Sequence, residues 1–88
     1  MIKPWVFEFF PELGGEDRDP EPHDVAAYFA RYLDLWTRDE ALGYEGIFFS
    51  EHHFGGSFSG SPNLLIANVA ARTQRLRLGV MGVVVPYY

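Results

Sequence analysis

Cysteine is absent from the 88 residues. That excludes disulfides and thiolate metal sites, and a small secreted fold stapled by disulfides is not expected. Positive charge is scarce: seven Lys and Arg stand against twelve Asp and Glu, a formal net charge of −5. Nucleic acid and anionic membrane surfaces are bound through basic patches, so neither is an expected partner. The nearest thing to a basic cluster is Arg72, Arg75 and Arg77, which the sequence places at a helix end, where cations complement the dipole. No apolar run approaches the ~20 residues of a membrane span. The apolar start of the chain is too short for a signal segment and soon meets Pro11, Glu12 and Gly14-Gly15. A soluble cytoplasmic protein is the expectation.

What is present is apolar. The chain is 48% hydrophobic and 17% aromatic, too much for a disordered segment. Three short β-rich runs alternate with two helical patterns. The first run is Trp5–Phe10, followed by a polar loop to Pro22. A helix is expected over about His23–Leu42, where Val25, Phe29, Tyr32, Leu33 and Trp36 recur at helical spacing. Pro22 and Asp24 suit its first turn, and Gly43 suits the left-handed position after its end. The second run, Gly46–Ser50, is apolar without alternation, as in a strand buried on both faces. Residues 51–60 form a Gly- and Ser-rich loop. Ser61-Pro62 reads as N-cap and first helical position of a second helix through about Thr73, marked by Leu64, Leu65, Ala67, Asn68 and Ala71. The third run goes from Leu76 to Val85, with Gly79 and Gly82 inside it and Pro86 at its end. The order strand, helix, strand, helix, strand predicts right-handed parallel βαβ units in an α/β fold. Three parallel strands with no helix after the third leave an uncovered edge, so a partial domain over residues 1–88, or one completed by another chain, is expected.

Parallel α/β folds bind ligands at the carboxyl ends of their strands. Glu8 and Phe9, then Glu51-His52-His53, then Met81-Gly82 lie at or near such ends. A histidine beside a carboxylate can exchange protons near neutral pH. Neighbouring residues of an extended segment point to opposite sides, so only one of the two histidines would face a pocket; both could equally be ordinary loop residues. Glu-His-His is not a standard metal-ligand spacing, and no metal site is expected. The loop Gly55–Gly60 runs into a helix N-terminus but matches neither common phosphate-binding pattern, leaving an anion site or a flexible active-site loop. Gly79 to Gly82 would either form a β-bulge or let a flat ring approach the backbone.

Three stretches, taken in order and spacing, resemble the bacterial-luciferase-like monooxygenase family: GYEGIFFSEHHF from Gly43 to Phe54, SPNLLIA from Ser61 to Ala67, and TQRLRLG from Thr73 to Gly79 running on to Val85-Pro86. The resemblance implies the N-terminal βαβαβ segment of a TIM (β/α)8 barrel, with the rest of the barrel missing. It implies a flavin-dependent monooxygenase using reduced FMN, or in relatives a deazaflavin coenzyme for hydride transfer, with O2 and a small organic substrate. It carries a proton-transfer role to His52, a place near the flavin to Glu51, and contact with the flavin ring to Met81 and Gly82 beside a non-proline cis peptide. Phe9 is a further ring contact. A separate flavin reductase and a homo- or heterodimer are the partners implied. The rival expectation is a non-catalytic barrel segment acting only through assembly with a partner.

Overall fold

The computed structural model describes residues 2–10, 21–53 and 59–83. The elements are β1 (Trp5–Glu8), α1 (Pro22–Arg38), β2 (Gly46–Phe49), α2 (Pro62–Arg72) and β3 (Arg77–Val80). The strands form one parallel sheet in the order β1-β2-β3. Register is tight: Glu8 pairs with Phe49, and Phe49 with Val80. All three strands therefore end at one level.

Side-chain alternation divides the sheet into two unlike faces. Ile47 and Phe49 point to one side and are buried with Tyr28 and Trp36 of α1 and Val69 of α2; Val6 and Leu78 pack on the same cluster. Both helices thus cover one face. Sequential strand order with all helices on one side is the winding of a (β/α)8 barrel segment. A doubly wound sheet would have helices on both faces. Trp5, Phe7 and Phe48 lie on the opposite face, and Trp5 stacks on Phe48 at 4.8 Å between centroids. The expectation that β2 is covered on both faces is corrected: among the described residues, the Phe48 side is only half-buried.

On that face rings lie over glycines. A Cβ on Gly46 would stand 2.5 Å from the Arg77 carbonyl oxygen and 2.5 Å from the Trp5 ring; one on Gly79 would stand 2.7 Å from the Phe48 ring. The Phe48 ring can turn away, but the Arg77 backbone cannot. Gly46→Ala is therefore expected to lower stability by about 1–3 kcal/mol and Gly79→Ala by less, read from urea midpoints.

Several boundaries shift. α1 begins with Pro at its first turn and carries Asp24 there, but it ends at Arg38, not Leu42. Its last residues give way to turns in which Gly43 N–H bonds Glu40 O and Tyr44 N–H bonds Asp39 O. Gly43 does take the left-handed conformation, φ 98. β1 stops at Glu8 because Phe10 has φ 63, which breaks the extended chain. β3 stops at Val80, which places Gly82 beyond it; residues 84–85 of the expected strand lie outside the described residues, as do 11–20 of the first loop. α2 has Ser61 as N-cap, yet the Ser61 hydroxyl makes no capping bond. The arginines do not act together at a helix end. Arg72 is in the last turn of α2, Arg77 pairs with Glu45, and the Arg75 N–H joins those of Gln74 and Leu76 on the Glu40 carboxylate. Those backbone bonds hold the Glu40 carboxyl below its ordinary value of 4.5.

Asp39, just after α1, is buried. Burial first, then the nearby Glu8 charge, pushes its carboxyl up to about 6 from 3.8. The folded chain thus holds this proton longer than the unfolded chain, and stability falls as pH rises from about 4 through 6. Asp39→Asn should flatten that slope and raise stability at pH 7 by on the order of 1–2 kcal/mol, after allowing for solvent screening. Urea unfolding at pH 4 and pH 7 checks it.

Candidate functional site

The level ends of the strands bring three short segments to one rim. Ser50 N–H bonds the Glu8 carbonyl at 3.3 Å, and Met81 N–H bonds the Phe49 carbonyl at 2.9 Å. The parallel ladder therefore continues one residue past each strand, and Phe9, the 50–53 segment and Met81-Gly82 emerge side by side.

Glu51 is paired with His53, not His52. Its carboxylate Oε2 is 2.7 Å from His53 Nε2, and the Glu51 side chain is only 1% exposed. The i,i+2 spacing explains this, since both residues fall on one side of the chain. His52, between them, falls on the other. Its backbone N–H donates to Ser59 O at 2.8 Å, and its ring Nε2 is buried with no hydrogen-bond partner among the described residues. The acid–imidazole pair at this rim is thus Glu51 with His53, and His52 Nε2 has no partner among the described residues. A buried polar atom without a partner is uncommon in folded proteins, and such atoms are met at ligand sites.

Phe9 is 64% exposed on the open side of the sheet and meets Phe7 edge-on at 4.3 Å. Met81 is 57% exposed, and Gly82 follows with φ 92, a left-handed turn natural to glycine. The peptide bonds among the described residues are all trans, so the cis peptide expected beside Met81-Gly82 is not found there. The Gly55–Gly60 loop lies outside the described residues at positions 54–58.

The sequence left Glu8 unassigned, and here the structure adds most. Glu8 Oε1 accepts the Phe10 N–H at 2.9 Å and Oε2 accepts the Trp36 Nε1–H at 3.0 Å. These charge-assisted bonds fix the turn after β1 and bury the Phe10 ring against Trp36 and Phe49. Tyr28 stands near; burial, Tyr32 and the Glu8 charge push its hydroxyl up to about 12. Ser50 and Ser59 were also missed. Ser50 Oγ–H donates to Glu8 O at 2.9 Å, and the Ser59 hydroxyl donates to Ser50 O. No sequence signal marks either serine beyond its place in a loop at a strand end.

Other sites are less built. A groove of about 170 Å³ lined by Phe29, Ser59, Gly60, Ser61, Leu64 and Leu65 opens between the helices, on the far side of the sheet from Phe9. Among the described residues no three His, Asp or Glu side chains gather as a metal site, and no helix is long and apolar enough to cross a membrane.

Comparison with known proteins adds to this geometry. Residues 9–88 match the model of a family described as luciferase-like monooxygenase. The chain is 48% identical over 50 residues to the uncharacterized protein YwcH of Bacillus subtilis, covering 56% of this chain and 15% of that one. It is 40% identical over 58 residues to the alkanal monooxygenase alpha chain of Photobacterium leiognathi (64% and 16%). It is 38% identical over 68 residues to limonene 1,2-monooxygenase of Rhodococcus erythropolis (74% and 18%). The matches span only 15–18% of the length of these relatives. No solved structure matches it significantly.

Proposed function

Because this chain belongs to the luciferase-like monooxygenase family, we propose that it supplies one wall of the flavin and substrate site of a monooxygenase acting on a small organic molecule with O2. The observation that carries this reading is the His52 imidazole, whose buried Nε2 has no partner among the described residues, at the same strand rim as the exposed Met81 and Gly82.

The residues present suit a flat ring system. Phe9 and Met81 offer exposed apolar surface at the rim. Gly82 presents backbone without a side chain, and a Cβ built there meets nothing within 4 Å. Glu51 and His53 are engaged with each other, so His52, whose Nε2 has no partner among the described residues, is the group that would take or return a proton. Reduced FMN, when bound, would supply the electrons that activate O2. His52 would hold or move a proton at Nε2, Phe9 and Met81 would keep water from the ring, and Gly82 would let the ring approach the main chain. Reduced FMN would come from a separate reductase. The remaining strands of a barrel would supply the phosphate side, and residues 1–88 would be a partial domain. A dimer is the assembly this reading favours, in the cytoplasm.

The test is a chimera carrying residues 1–88 in place of the matching stretch of limonene 1,2-monooxygenase. It should oxidise limonene with reduced FMN and O2. Turnover with a reduced deazaflavin instead would move the assignment to hydride transfer, and a folded chimera inert with both would support a non-catalytic segment.

A further inference from the structure

We propose that Glu8 is a positioning residue for His52, acting through hydrogen bonds linked from residue to residue by the covalent frames of Glu8, Ser50 and Ser59. The proposal rests on the reading of His52 as the proton-handling group. Trp36 Nε1–H and Phe10 N–H fix the Glu8 carboxylate at 3.0 and 2.9 Å. The Glu8 carbonyl takes both the N–H and the hydroxyl of Ser50. The Ser50 carbonyl takes the Ser59 hydroxyl, and the Ser59 carbonyl takes the His52 N–H. The series thus runs from α1 through the end of β1, across to the segment after β2, and stops at the main chain of His52.

Two features make this more than local support. First, the His52 ring nitrogen Nε2 has no partner among the described residues, and the bond from the His52 N–H to Ser59 O is the one that ties this residue to the series. Second, both serines are buried, so water does not readily replace their bonds. Glu8 itself sits between sheet and helix, where its charge is felt by Tyr28 and Asp39. Its two acceptor atoms are committed to two donors on different elements. A glutamine there keeps one acceptor and turns a donor toward the other.

NMR of the 88-residue chain without any cofactor tests the series. Glu8→Gln and Trp36→Phe should each move the His52 amide and imidazole resonances, and the double variant should move them no further than the larger single change. Glu40→Gln, at the other end of the sheet, should move the amides of Gln74, Arg75 and Leu76 and leave His52 in place. If Glu8→Gln fails to fold, Trp36→Phe, which keeps an aromatic ring in the core, decides alone. Unmoved His52 resonances while the Phe10 amide shifts would overturn the proposal, as would additive shifts in the double variant. In the limonene chimera Glu8→Gln should lower kcat about three- to tenfold with little change in KM. The NMR result stands without catalysis, so it separates failure of the series from failure of the proposed reaction.

Discussion

Replacing His52 with Ala in the limonene chimera should cut turnover by ~10²–10⁴-fold, the range for a lost proton-transfer group, while the urea midpoint hardly moves. The two halves of that expectation come from the same geometry. The His52 ring is only partly buried and its Nε2 bonds nothing among the described residues, so removing it breaks no internal hydrogen bond at that atom. The bond that the residue does make, from its N–H to Ser59 O, belongs to the backbone and survives the substitution. His53→Ala should behave in the opposite way. It removes the His53 end of an ion pair with a Glu51 carboxylate whose side chain is 1% exposed, which costs stability first. Equal turnover losses in the two variants, with equal stability losses, would show that the histidines act as one structural unit.

The second large effect is expected in the core. Trp36 is fully buried, stands edge-on to Phe10 and Phe49, and donates to Glu8. Trp36→Ala should cost about 3–5 kcal/mol. A chain of this length holds only about 4–13 kcal/mol in total, so a large unfolded fraction should be visible at 37 °C. Trp36→Phe keeps most of the packing and loses the N–H, so it should cost about 1–2 kcal/mol. Denaturant unfolding of both variants separates packing from the Glu8 bond. A Trp36→Ala midpoint close to that of Trp36→Phe would mean that the site collapses around the missing ring.

Much of the fold was legible in the sequence, for identifiable reasons. Gly46 to Phe49 is an unbroken apolar run too short for a helix, and Val25, Phe29, Tyr32, Leu33 and Trp36 repeat at the helical period; parallel pairing follows from the alternation of the two patterns. Gly43 was readable because few other residues tolerate positive φ. The end of α1 was not readable. Ala41 and Leu42 are good helix formers, but bonds from Gly43 and Tyr44 back to Glu40 and Asp39 turn the chain first. α2 is apolar on nearly every side, so its inward face could not be chosen: Val69 is buried, whereas Leu64 is 71% exposed.

The candidate site was readable as a location and less so as chemistry. Strand ends brought Phe9, Glu51-His52-His53 and Met81-Gly82 together, as parallel topology requires. The pairing of Glu51 with His53 is legible in their i,i+2 spacing, which puts both on one side of an extended segment. Glu8, Ser50 and Ser59 were beyond reach, because their bonds join segments far apart in the chain and use common polar residues with no motif. The trans peptide at Met81-Gly82 differs from what the resemblance implied, and positive φ at Gly82 supplies the turn instead.

A crystal structure of the limonene chimera with reduced FMN puts the account to its most direct trial. The isoalloxazine should lie on the aromatic side of the sheet, opposite α1 and α2, within contact of the His52 imidazole and of the main chain at Gly82. Density for the ring in the groove beside Phe29 and Leu65, or at the opposite strand ends near Glu45 and Arg77, would contradict it.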